Sequence, residues 1–111
     1  MSWKAVEEIL YIDEPIRQGV DWGGSQGFEM VSDEDISSYA FTLALKHGDQ
    51  TRVTLNETNG FLTQSGNYTL YMKISASQTA IMKKGETLTG DLIGNTGGVN
   101  RYFGTIQVQT K

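Results

Sequence analysis

The feature that most constrains this chain is a period of two in its apolar residues. In Tyr39-Ala40-Phe41-Thr42-Leu43-Ala44-Leu45-Lys46, the large apolar side chains fall at Tyr39, Phe41, Leu43 and Leu45, with small or polar residues between them. Successive side chains of a strand point to opposite faces, so this pattern predicts a half-buried strand. Tyr68 to Ile74 repeats it with Tyr68, Leu70, Met72 and Ile74, and Tyr102 to Val108 repeats it again. Weaker strands are expected at Gly27 to Val31, Thr51 to Leu55 and Thr87 to Ile93.

Turn signals punctuate these segments at intervals of roughly ten residues. They include Gly23-Gly24-Ser25, Ser32-Asp33-Glu34-Asp35, His47-Gly48-Asp49, Asn59-Gly60, Ser65-Gly66-Asn67 and Asn95-Thr96-Gly97-Gly98. Glycine, Asn and Asp supply the backbone angles that tight reversals need. Short strands at this spacing, without helical stretches between them, predict an all-β sandwich or barrel and exclude a βαβ architecture. Two short helical segments are expected, at Ser2 to Leu10, where Trp3, Val6, Ile9 and Leu10 are near helical spacing, and at Ser75 to Met82.

A chain of 111 residues fits one domain with one core. The single proline, Pro15, precedes most of the strand pattern, and no linker or repeat divides the chain. We therefore expect one domain over residues 1–111, with residues 1–15 forming an amino-terminal arm, an extra strand or a helix. The apolar runs, such as Ile9-Leu10-Tyr11-Ile12, are too short for a transmembrane helix, and Glu7 and Glu8 interrupt the place of a secretory signal. With no cysteine, disulfides and thiolate chemistry are excluded. The net charge of −4 and the scattered basic residues argue against nucleic acid as a partner.

The residues that could carry chemistry are few. His47 is the only histidine, and Lys46-His47-Gly48-Asp49 reads as a hairpin turn before it reads as a catalytic base. No Gly-x-Ser-x-Gly elbow presents a nucleophile; Gly24-Ser25-Gln26-Gly27 lacks the spacing. Asp33-Glu34-Asp35 has carboxylates but not the alternating ligands and fixed glycine of a calcium loop, so a charged turn is the better reading, with Ser37 or Ser38 satisfying polar groups. Asn56-Glu57-Thr58 and Asn67-Tyr68-Thr69 match a glycosylation triplet, which carries no weight without an export signal. The glycine-rich run Gly19 to Gly27 lacks the Lys-Ser/Thr of a phosphate loop. Catalytic, cofactor and metal residues are accordingly assigned to none. Aromatic faces give large contact area at low entropic cost, so Trp3, Tyr11 and Trp22 are the candidate interaction surface, with core packing the competing reading for Trp22.

The order of segments from Ile16 to Val108 resembles small immunoglobulin-like domains of tailed bacteriophages and prophages, including the amino-terminal domain of the siphophage baseplate upper protein. The resemblance is carried by Ile16-Arg17-Gln18-Gly19-Val20-Asp21, by Asp35-Ile36-Ser37-Ser38-Tyr39-Ala40-Phe41, and by Asn59-Gly60 ahead of Tyr68 to Ile74. Ser75 to Ala80 with Gly85, then Gly90-Asp91-Leu92 and the closing Arg101 to Val108, continue the order. Ser38 stands where that group often has glycine, and Thr89-Gly90 replaces its usual Tyr-Asp; residues 1–15 have no counterpart.

The resemblance implies an immunoglobulin-like antiparallel β-sandwich of about seven strands with one or two short helical turns. It further implies a virion structural protein of tail or baseplate type, not an enzyme, acting by assembly with itself or other virion proteins and located in the virion. Outside a phage, the expected location is the bacterial cytoplasm. A non-catalytic ligand-binding module, for instance for carbohydrate, is the alternative, and exposure or burial of Trp22 separates the two.

Overall fold

The computed structural model describes the backbone of Ser2 and Trp3 and all of residues 9–111. Among the described residues, the strands are β1 (Ser2–Trp3), β2 (Ile9–Ile16), β3 (Phe28–Ser32), β4 (Ala40–His47), β5 (Gln50–Asn56), β6 (Leu62–Ser65), β7 (Thr69–Met72), β8 (Thr87–Thr96) and β9 (Val99–Thr110). One short helix, α1 (Ala76–Thr79), links β7 to β8. The strands form a four-stranded sheet in the order β1-β3-β7-β6 and a five-stranded sheet in the order β2-β9-β8-β4-β5.

This is the strand order of an immunoglobulin sandwich. The four-stranded sheet corresponds to A-B-E-D, and β9, β8, β4 and β5 correspond to G, F, C and C′. The expected all-β sandwich is thus the observed fold, with one correction. Pairing is not wholly antiparallel: β1 runs parallel to β3 and β2 parallel to β9. The cause lies at the amino terminus, where the chain adds strands to both sheets before its first hairpin. A helix is also expected to reach Leu10, but Ile9 and Leu10 open β2. In the strand, Leu10 and Ile12 are buried, while a helix would turn them to different sides.

The period of two becomes the core directly. Leu43 and Leu45 of β4, Leu88 and Leu92 of β8, and Ile106 and Val108 of β9 face Met30, Leu62, Leu70 and Met72 from the other sheet, all buried. At one end Phe103 packs edge-on against Phe41 and Tyr39, with ring centroids 5.0 and 4.8 Å apart. Arg101 lies over the Phe103 ring at 4.7 Å, pairs with Glu34 and donates to the Tyr39 hydroxyl, tying β9 to the β3–β4 loop.

The other end is closed by α1, the expected helical turn. Ser75 offers no side-chain cap, and Asp21 takes that role from a distant loop by accepting the Ala76 amide at 2.7 Å. Buried Thr79 donates to the Val20 carbonyl at 2.9 Å. The glycine-rich run is a tight fold over β7: a side chain at Gly27, where φ is +105°, would meet the Met72 backbone at 3.0 Å. That close approach, and not a phosphate, accounts for glycine there.

Candidate functional site

Of the three aromatic residues expected at a surface, the structure places one there. Tyr11 is 62% exposed on β2. The Trp3 side chain lies outside the described residues, although its backbone is in β1. Trp22 is 2% exposed and belongs to the core. Its backbone forms an isolated bridge with Ile74, its indole Nε1 donates to the Glu14 carbonyl at 2.8 Å, and its ring meets Phe28 edge-on at 4.8 Å. A flat glycine-rich loop hides the indole from sequence patterning, because the burial comes from a bridge between segments far apart in the chain.

The remaining polar candidates have structural partners. His47 closes β4 at the hairpin to β5, with Nδ1 3.4 Å from the Thr87 carbonyl and Nε2 3.8 Å from Glu86. Glu86 is held by Arg52 through two hydrogen bonds, at 2.9 and 2.7 Å. Asp35 accepts both the amide and the hydroxyl of Ser37, which holds its carboxyl below the usual range. Glu34 is engaged by Arg101. Asn56 accepts the Asn59 amide within its turn. Among the described residues, no group of three or more potential metal ligands converges, and no helix is long and apolar enough to cross a membrane.

The Arg52 guanidinium holds the Glu86 carboxyl below its ordinary pKa of 4.5. A depressed folded-state pKa contributes stability that is full above the unfolded value and is lost as pH falls through the folded one. Glu86→Gln is therefore expected to lower the unfolding midpoint near neutral pH and to converge with the wild type under acid conditions. Denaturant titrations at a series of pH values check this; a gap between the two that persists at low pH would contradict it.

The outer face of the five-stranded sheet carries open relief. A trough of about 360 Å³ is lined by Thr42, Ala44 and Lys46 of β4 and by Thr89, Asp91 and Ile93 of β8, with Gly90 in its floor. A second hollow of about 510 Å³ is lined by Ile9, Asp91, Tyr102 and Thr105, so Asp91 stands where the two meet. The Tyr102 hydroxyl lies 2.5 Å from Thr105 Oγ1, and Thr105 donates to Asp91 Oδ1 at 2.8 Å.

The sheet is irregular at this point for a reason visible in the sequence. The β8–β9 register shifts between Asp91 and Ile93, where Gly104 takes φ +131°, a conformation that favours glycine. Bulges of this kind re-aim side chains and recur beside functional surfaces. On the adjoining strand, Ile9 is 52% exposed next to Tyr11, so β2 presents apolar groups outward while Leu10 and Ile12 fill the core. This face offers apolar contact beside the Asp91 carboxylate, which is engaged by the Thr105 hydroxyl. Sequence reasoning misses Asp91, Ile9 and Tyr102 as one surface because they come from three strands. Comparison with known protein families, with curated proteins and with solved structures found no match for the chain.

Proposed function

We propose that this chain is a non-catalytic assembly domain that docks through the outer face of its five-stranded sheet. The observation that carries the reading is the outward face of β2, where Ile9 and Tyr11 are each more than half exposed beside the Asp91 hollow. Exposed apolar groups gathered beside a concave face, rather than scattered singly, mark interaction surfaces. The narrower assignment, a structural component of a phage virion such as a tail or baseplate, rests on the ordered resemblance over Ile16 to Val108. Burial of Trp22 takes that residue out of any aromatic stacking platform, which weighs against the carbohydrate alternative.

The double variant Ile9→Asp/Tyr11→Ser places polar groups where the wild type is already exposed, so it leaves the core intact. Sedimentation velocity should show the wild type sedimenting faster as concentration rises and the variant remaining monomeric, with unfolding midpoints within a few degrees of each other. Identical concentration dependence in both proteins would contradict docking through this face.

A further inference from the structure

The trough on the outer sheet face holds one cation and one anion, and neither is used up within the fold. Lys46 and Asp91 both line it. Among the described residues, the Lys46 ammonium makes no hydrogen bond or ion pair, and the Asp91 carboxylate accepts one hydrogen bond, from Thr105 to Oδ1. Lys46 is in register with Thr89, so Asp91 lies two residues further along β8, an offset of about 7 Å along the strand. Between and around the two charges lie Ala44, Ile93 and the neutral Thr42 and Thr89.

We infer that the occupant of this face is a second copy of the chain, packed across a two-fold axis so that Lys46 of each copy meets Asp91 of the other. This rests on the assembly reading above and adds its partner and geometry. A two-fold contact brings a patch against itself, and a patch with one cation, one anion and apolar groups between them is self-complementary. The chain as a whole carries −4, and because the charges of the trough sum to zero, this face adds no like-charge contact to that repulsion. The area is adequate: five strands at about 4.8 Å spacing and eight residues at about 3.3 Å give a face of roughly 24 by 26 Å, near the ~800 Å² per partner of a standard interface once side-chain relief is included.

The experiment uses two single variants, Lys46→Glu and Asp91→Lys, each studied alone and then mixed in equal amounts. Alone, each brings like charges together at both contacts of the dimer, and its dissociation constant should rise at least tenfold by sedimentation equilibrium. In the mixture both contacts are again of opposite charge, so a heterodimer should form with affinity near that of the wild type. Circular dichroism of each variant establishes that it is folded, and recovery in the mixture excludes misfolding as the cause of the losses. A wild-type dimer that neither variant weakens, or a mixture that stays monomeric, would overturn the two-fold arrangement and leave the assembly reading standing. A wild type monomeric at every concentration would overturn both.

Discussion

Trp22→Ala is expected to destabilise the domain by about 3–5 kcal/mol, the range for removing a large buried aromatic side chain. The indole is almost wholly enclosed and joins two other parts of the structure, the β2 bulge through Glu14 and the ring of Phe28, from a backbone already bridged to Ile74. Its loss leaves a cavity and also frees the Glu14 carbonyl at the point where four residues of β2 span two of β9. Trp22→Phe keeps much of the apolar volume and loses the hydrogen bond, so its cost should be smaller, about 1–3 kcal/mol. Denaturant unfolding followed by circular dichroism measures both. If Trp22→Ala is as stable as the wild type, the indole is not the closing element of this end of the sandwich.

Gly90→Ala is the second large effect. A Cβ at this position would lie 2.1 Å from the Ala44 carbonyl oxygen and 2.8 Å from its carbon, and both are backbone atoms in the neighbouring strand. No rotamer relieves the clash, so β4 and β8 must separate in the middle of the five-stranded sheet. Overpacking of a tight interior costs about 1–3 kcal/mol, and displacing the ladder places this variant at or above the upper end. At roughly 4 °C per kcal/mol for a domain of this size, the melting temperature should fall by ten degrees or more. Gly97→Ala is the control: it is in a hairpin with open space around it, and its φ of +57° carries only a local cost. Equal melting temperatures for the two variants would show that β4 and β8 do not approach as closely as described.

These two positions also show what the amino-acid sequence reveals and what it does not. The strands around Leu43, Leu70 and Ile106 are legible because one face is buried and the other is polar, so the period of two survives in the residue pattern. β2 is not legible in this way: Ile9 and Tyr11 face outward and Leu10 and Ile12 inward, all apolar, and the alternation is invisible. The outward pair is apolar on the very face proposed to dock, which joins the missed strand to the proposed function. β6 escapes for a different reason. It has four residues, only Leu62 of them buried, too short a run for periodicity to register.

Gly90 is equally opaque from sequence. It sits between Thr89 and Asp91 like any turn glycine, and only the close approach of β4 gives it a role. By contrast, His47 ends β4 at the edge of its hairpin turn and the Asp33-Glu34-Asp35 run lies in the loop before β4, as their neighbours imply, and Ser37 satisfies Asp35. Local chemistry is readable where partners are near in sequence. The Asp91 surface is assembled from β2, β8 and β9, and its members become neighbours only when the sheet forms.

The central claim is that the outer face of the five-stranded sheet is where this domain meets its partner copy. Backbone amide NMR spectra of the wild-type protein across a concentration series test it most directly, because they report both association and its location. Shifts or broadening that grow with concentration at Ile9 to Tyr11, Thr42 to Lys46 and Thr89 to Ile93 are the predicted result. Spectra that do not change with concentration, or changes confined to the opposite sheet around Glu29, Val31 and Tyr71, would contradict it.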